Sequence, residues 1–258
     1  MSGAPFRIAI LLLAAVGTLL TLSCSGDECT LNCNGDLRYP LALGLSWQYD
    51  LTRQKYNFRP YYDTTFWHPA DSIMHWNITL SITNVDTIEA GVVIYEFHEV
   101  VTEATTLISQ AYSWYANSGD GFWQYPDLGS GPGLSVFSLK PVAGAGPSAT
   151  RTYKVLEYPL REGIQWELTN GYSDIGPIYK SVIGIGEQSV PAGKYDCYAV
   201  AWLWESISTI TRTQYYSDVG LVRSRTEVKD LFHDPYENQE WAGSWDETEE
   251  IRLVRSPF

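Results

Sequence analysis

The chain has 258 residues, with Lys+Arg 17 against Asp+Glu 30 and a formal net charge of -13 at pH 7. That balance excludes nucleic acid as a partner, and no Lys/Arg cluster relieves it. Hydrophobic residues at 45% and charged residues at 18% exclude a disordered chain, while aromatics at 14% favour sheet, because rings fit a pleated, half-buried surface.

Residues 1–23 read as an export signal. Arg7 is the only charge before the apolar run Ile8 to Leu22, which is short for a membrane span of about 20 residues. The run ends Leu20-Thr21-Leu22-Ser23-Cys24, which resembles the lipobox of bacterial lipoproteins. The resemblance implies a diacylated Cys24 as the first mature residue. Ser25, in place of Asp, implies sorting to the outer membrane. The expected address is therefore the cell envelope, with the membrane as partner through the lipid on Cys24. Residues 24–37 form a polar tether that holds the domain roughly 20 Å from the lipid. Cys29 and Cys33 sit in this tether, and in an oxidising compartment a small disulfide loop between them is expected. No second Cys/His pair follows to make a zinc site. Cys197 lies in an apolar run and reads as a buried thiol, with a bridge to the tether as the alternative.

From residue 38 the signals are those of strands. Leu45, Trp47, Tyr49 and Leu51 alternate with Ser46, Gln48 and Asp50. Trp76, Ile78, Leu80 and Ile82 alternate with Asn77, Thr79, Ser81 and Thr83, and Val93, Tyr95 and Phe97 with Glu96 and His98. Period two means one wet face and one dry face. Residues 195–204 are apolar on both faces, which predicts a central strand covered on both sides. Pro191-Ala192-Gly193-Lys194 and Asn117-Ser118-Gly119-Asp120-Gly121 predict hairpin turns. Glu250 to Arg255 predicts one more strand. Between the first two strands, Tyr56, Phe58, Tyr61, Tyr62, Phe66 and Trp67 crowd a stretch of poor periodicity. It reads as a long aromatic loop over 55–70. Tyr61, Tyr62, Phe66 and Trp67 are its candidate ligand contacts, and folding back as a lid on the core is the alternative.

The chain also echoes itself. Tyr39-Pro40-Leu41 through Gly44 to Trp47 matches Tyr158-Pro159-Leu160 through Gly163 to Trp166. Ile88 to Gly91 echoes Val190 to Gly193, and Tyr115 to Phe122 echoes Tyr216 to Leu221. The expected fold is mainly β with few helices: an antiparallel curved sheet, open half-barrel or sandwich, in a single domain over 38–258. It is built from two half-repeats, about 38–126 and 151–258, joined by the Gly/Pro-rich stretch 127–150.

Pro40 to Trp47 with its second copy, Val190 to Tyr195, and Tyr215-Tyr216-Ser217-Asp218-Val219-Gly220-Leu221-Val222 resemble segments of uncharacterised bacterial lipoproteins. The last two are similar to domain-of-unknown-function family 3108. The resemblance spans most of residues 38–230. It implies an exported all-β domain related to the open half-barrel of lipoprotein carriers, and it brings no catalytic residue.

The search for chemistry yields no catalytic motif. No Gly-x-Ser-x-Gly elbow is present. His98-Glu99 lacks the second His of a zinc-protease motif, since Thr102 stands there. His68, His75, His98 and His233 lack ligand spacing, so no metal is expected, and Gly184-Ile185-Gly186 lacks the third Gly of a phosphate loop, so no cofactor is expected. Asp246, Glu247, Glu249 and Glu250 form an acidic run, which reads as a solvated surface. The reading favoured by these residues is a non-catalytic envelope module that binds a protein, a glycan or an apolar molecule. Its rivals are a surface carbohydrate-binding protein and a hydrolase with dispersed carboxylates such as Glu205.

Overall fold

A computed structural model describes residues 37–60, 70–88, 91–125, 152–168, 177–205, 208–233 and 243–258. The described residues hold twelve strands and no α-helix. In chain order the strands are β1 Ser46–Pro60, β2 Ser72–Thr87, β3 Val93–Glu103, β4 Thr106–Asn117, β5 Gly121–Tyr125, β6 Tyr153–Glu157, β7 Gln165–Glu167, β8 Ile178–Val190, β9 Gly193–Trp204, β10 Ile210–Ser217, β11 Gly220–His233 and β12 Gly243–Arg255. The signal residues, Cys24, Cys29, Cys33 and the aromatics Tyr61, Tyr62, Phe66 and Trp67 lie outside the described residues.

Every strand pairs antiparallel with its sequence neighbours, except β6 with β7, and β1 also pairs with β12, so the sheet runs β6 to β1, then β12 to β7. It curls into a nearly closed barrel. The two ends of the sheet, β6 and β7, share no ladder. Side chains of β7 and β8 reach β6 instead. The Trp166 indole N–H donates to Lys154 O at 3.0 Å, and Lys180 Nζ donates to Val155 O at 2.9 Å. Two carbonyls of an edge strand thus find partners without a neighbouring strand.

The barrel has two unlike ends. Tight turns close one end: residues 118–120, 191–192 and 218–219, with 158–164 passing from β6 to β7. At the other end β3 turns tightly into β4 through Ala104 and Thr105, while the connections β1 to β2, β5 to β6, β7 to β8, β9 to β10 and β11 to β12 lie partly or wholly outside the described residues; among the described residues this end is the open one. The closed end is filled with aromatic side chains. Trp47, Tyr49, Phe97, Tyr115, Phe122 and Tyr216 are fully buried there. Tyr39 enters from the chain that precedes β1 and stacks on Phe122, with ring centroids 4.5 Å apart and planes at 3°. Its backbone is clamped: Tyr39 N–H donates to the Tyr158 hydroxyl at 2.7 Å, and Asn117 Nδ2 donates to Tyr39 O at 2.7 Å. Gly220, at φ 101°, lies so close to the Tyr39 ring that a Cβ would sit 2.9 Å from Cζ. Only glycine fits both that backbone and that space.

The repeated segments make matching bonds. Gly44 N–H donates to Ile82 O, and Ile82 N–H donates to Leu45 O; Gly163, Ile164 and Val182 repeat the pattern. The two glycines share φ 86° and φ 81°. Ile88–Gly91 and Val190–Gly193 precede β3 and β9. Tyr115–Phe122 and Tyr216–Leu221 span the β4–β5 and β10–β11 turns.

Two sequence expectations are corrected. The stretch 55–60 is strand, not loop, because β1 pairs with β12 as far as Pro60. A bulge between Tyr56 and Arg59, with Asn57 at φ 55°, breaks the alternation that would have announced it. Strand β9 lies between β8 and β10, but only its inner face is well covered. Tyr198, Val200, Trp202 and Trp204 are buried, whereas Ala199 and Ala201 are half-buried and Leu203 is exposed. A barrel strand has one inside; the small alanines simply expose little surface.

Cys197 is the exception on that outer face, being fully buried and unbridged. Burial pushes its thiol up to about 12, with Asp196 and Asp218 adding to the effect. The expected result is no reaction with a thiol reagent at neutral pH until the protein is unfolded, because the thiolate is the reactive form. Labelling in the native state would contradict this.

Much of the outward face is polar, with Gln48, Asp50, Thr52 and Gln54 on β1, Asn77, Thr79 and Ser81 on β2, and Arg223, Arg225 and Glu227 on β11, while Ile73, Ile183, Ile185 and Leu203 are exposed apolar residues. A barrel that crosses a bilayer needs the reverse, apolar outside and polar inside.

Candidate functional site

The open half of the barrel is lined differently from the closed half. Side chains directly opposite in an antiparallel ladder share a face, so the register defines rings around the interior. One ring runs Trp166, Lys180, Trp202, Arg212, Thr226, Glu249, Arg53, Met74, across β7, β8, β9, β10, β11, β12, β1 and β2. Two residues towards the closed end, the same strands present Val182, Val200, Gln214, Ser224, Ile251, Leu51 and Trp76. Two residues towards the open end come Ile178 beside Trp204, then Ile210, Val228, Glu247, Lys55 and Ser72. A charged and tryptophan-bearing ring therefore sits between an apolar floor and the open end.

Lys180 and Arg212 are both buried, at 0% and 3% exposure. They flank one indole: Lys180 Nζ lies 4.4 Å and the Arg212 guanidinium carbon 4.9 Å from the Trp202 ring. Lys180 Nζ also donates to Gln214 Oε1 at 3.3 Å, an oxygen that accepts from the Trp202 indole and the Tyr216 hydroxyl as well. Burial holds the Lys180 amine well below its ordinary value, and the neighbouring Arg212 charge lowers it further. Burial likewise lowers Arg212, while Glu249 opposes the shift. Cation–π contact offsets part of such a desolvation cost, about 2 kcal/mol at a dry site.

Arg53 faces the same space. Its guanidinium donates to Glu249 at 2.5 Å, approaches Glu247 at 3.4 Å and lies 5.3 Å from the Trp76 ring. Lys55 reaches Glu247 at 4.0 Å. A further interior carboxylate, Glu99, lies on β3, 3% exposed; burial raises the Tyr49 and Tyr115 hydroxyls, and the Glu99 charge adds to both shifts.

The acidic run is thus not a solvated surface. As part of β12 it alternates: Glu247 and Glu249 point inward to Arg53, while Glu250 pairs outside with Arg223 at 2.6 Å. Asp246 is 5% exposed and accepts from Arg59 at 2.7 Å, Asn57 at 3.1 Å and the Asp230 N–H at 3.3 Å. Arg59 and these donors hold its carboxyl well below the usual carboxylate range. Asp120, in the β4–β5 turn, is drawn down to about 2 by the Ser118 hydroxyl and by Lys154. Depressed carboxyls stabilise the fold above the unfolded value, about 4, and that stability is lost as pH falls through the folded value. The urea midpoint should fall between pH 5 and pH 2, less steeply in Asp246→Asn. A flat profile over that range would contradict these contacts.

The other candidate residues scatter. Glu205 is exposed at the end of β9, hydrogen-bonded with Tyr179. His75 meets Thr52 on the outer face, and His98 stacks on Tyr112 at 4.3 Å. No group of metal-binding side chains occurs among the described residues. A cleft of about 420 Å³ opens beside the closed end, between Leu41, Val93 and Asn117, with no charged lining.

No protein-family model matches the chain, so the resemblance to family 3108 has no such match behind it. No curated protein matches it either. Two solved structures are similar. One is of a candidate lipoprotein from Parabacteroides distasonis, 15% identical, with a TM-score of 0.33, covering 84% of this chain and 96% of that one. The other is of a candidate exported protein with a YmcC-like fold from Bacteroides fragilis, 13% identical, TM-score 0.33, covering 84% and 97%. At that distance no functional residue carries across.

Proposed function

We propose that this protein is a non-catalytic binding barrel of the cell envelope, tethered by lipid on Cys24, which holds an amphipathic small molecule in its open half. One observation carries the reading: the barrel is solid with aromatic rings at its closed end, yet lined with buried charges and tryptophans towards its open end. A core built for stability alone has little use for Lys180 and Arg212 in its interior, because buried ions are replaced by apolar residues at little or no loss of stability. Apolar walls with a few placed polar groups are the usual lining of a small-molecule site. The polar outer face of the strands and the export signal support a domain that works outside the cytoplasm and off the bilayer.

The test is mass spectrometry of the protein purified gently from its own membranes. The expected result is a chain that begins at acylated Cys24 and releases, on denaturation, a co-purified molecule with a long apolar chain. Trp204→Ala should release less of it. An acylated chain that carries nothing, and that takes up no amphiphile when offered one, would overturn the reading.

A further inference from the structure

Strand β8 outruns its neighbour β7. Pairing on that side ends at Val182, which accepts from Gly163 N–H and donates to Ile164 O. Over residues 183–190 no described residue pairs with this edge, while β9 pairs along the other. Val190 and Gly193 close a two-residue turn and bond each other. Gly184, Gly186 and Gln188 therefore turn their backbone groups to β9, and Ile185, Glu187 and Ser189 turn theirs away from it.

The first half of the chain has the same free edge and blunts it. Strand β2 runs past β1 beyond Ile82, as β8 runs past β7 beyond Val182. Each hairpin shifts register at the matching point, between Ile82 and Asn84 and between Val182 and Gly184. Ile88 N–H donates to Val92 O, so Val85 and Thr87 are the residues that face outward from β2. Their N–H groups are already taken. Val85 N–H donates to Asn84 Oδ1 at 2.9 Å, and Thr87 N–H donates to Asp86 Oδ1 at 2.7 Å. In β8 the matching positions are Gly184 and Gly186, which have no side chain to do this. A Cβ at either would meet nothing within 4 Å, and neither has a positive φ, so the fold does not demand glycine there. A glycine inside a strand marks a bulge, as Gly184 does, or a place where another backbone comes close. Beside them Ile183 and Ile185 are 56% and 42% exposed. Natural edges are guarded by charge or proline. This one carries only Glu187, which Lys194 neutralises at 3.0 Å.

We propose that residues 185–189 are a docking edge, where an extended, basic segment of a partner protein joins the sheet as an antiparallel strand in line with β7. Main-chain hydrogen bonds to Ile185, Glu187 and Ser189 hold it, and an aliphatic side chain packs against Ile185. Charge selects a foreign basic segment over a second copy of this chain. The whole chain carries a formal net charge of -13. At the edge itself Glu187 stands directly opposite Asp196, two acids with Lys194 as the cation paired to Glu187. A basic segment is drawn in and an equally acidic copy is held off. The edge lies at the closed end, so it acts independently of a ligand in the open half.

The test uses the mature full chain and three synthetic peptides, titrated by calorimetry: alternating lysine and valine, alternating glutamate and valine, and the lysine peptide N-methylated at every residue. The lysine peptide should bind at least about tenfold more tightly than the glutamate peptide, and the N-methylated form should not bind. Gly184→Asn combined with Gly186→Asp carries the caps of β2 over to β8 and should weaken the lysine peptide at least about tenfold. The added carboxylate would by charge alone strengthen that peptide, so a loss reports the cap. The three peptides decide the matter on the unmutated protein even if the variant does not fold. No binding of the lysine peptide, equal binding of the N-methylated form, or undiminished binding by the capped variant overturns the docking edge. A dimer in sedimentation that the capped variant dissolves overturns the basic partner, because a second copy then covers the edge.

Discussion

Trp47→Ala should lower the free energy of unfolding by about 3–5 kcal/mol, the cost of removing a large side chain from a site that cannot collapse. Trp47 is fully buried and lies 6.0 Å from Phe97 and 5.9 Å from Tyr39, ring to ring. Its indole N–H donates to Val219 O, in the β10–β11 turn on the far side of the barrel. The substitution therefore empties the plug and orphans a turn carbonyl in one step. Trp47→Phe keeps most of the volume and should lose only about 1 kcal/mol from the hydrogen bond, with the remainder depending on how the ring repacks. Equilibrium unfolding in urea reads both. A loss below about 1 kcal/mol for the alanine variant would mean that the aromatic plug is not what stabilises the barrel.

Trp166→Ala comes second in size, and its signature is local. Trp166 is the matching tryptophan of the second motif, 6% exposed, and its indole closes the gap between β7 and β6 through Lys154 O. A cost of about 3 kcal/mol is expected from volume alone. Strand β6 is held on its other edge by β5, through only four paired residues from Gly121 to Gln124. Amide exchange in Tyr153–Glu157 should therefore accelerate more than in β1 or β12, which are flanked on both sides. Trp47→Ala should show no such preference. Equal acceleration over all strands in Trp166→Ala would mean that the indole does not hold the seam.

The fold was largely legible because period-two patterning survives wherever one face is dry and the other wet. β2 and the first half of β1 show it residue by residue. The tight turns were legible because Pro191 and Gly193 stand at one turn, where Gly193 takes a positive φ, and Gly121 at another, where Leu156 O leaves no room for a Cβ. Two features hid the rest. The Asn57 bulge broke the pattern of β1, and the segment looked like loop. The site was hidden more deeply, since each strand gives it one or two residues. Lys180, Arg212 and Arg53 are far apart in sequence, and no spacing rule joins them. Register joins them, and register comes from pairing that a single sequence does not display. The nearest signal was the acidic run, whose alternate members Glu247 and Glu249 would face one side if the run were a strand. Read as strand, that run calls for cations on the neighbouring strands, where Arg53 and Lys55 stand opposite. The aromatic residues that drew attention in the sequence, Tyr61, Tyr62, Phe66 and Trp67, lie outside the described residues.

An amphiphile bound as proposed lies inside the barrel, beside Trp202 and Trp204. Quenching of tryptophan fluorescence by a dibrominated fatty acid tests this most directly, because bromine quenches an indole only near contact. The prediction is saturable quenching that largely disappears when Trp202 and Trp204 are both replaced by Phe, with the remaining tryptophans, Trp47 among them, unaffected. Saturable quenching that persists undiminished in the double variant, or no quenching at all, would contradict a ligand in the open half.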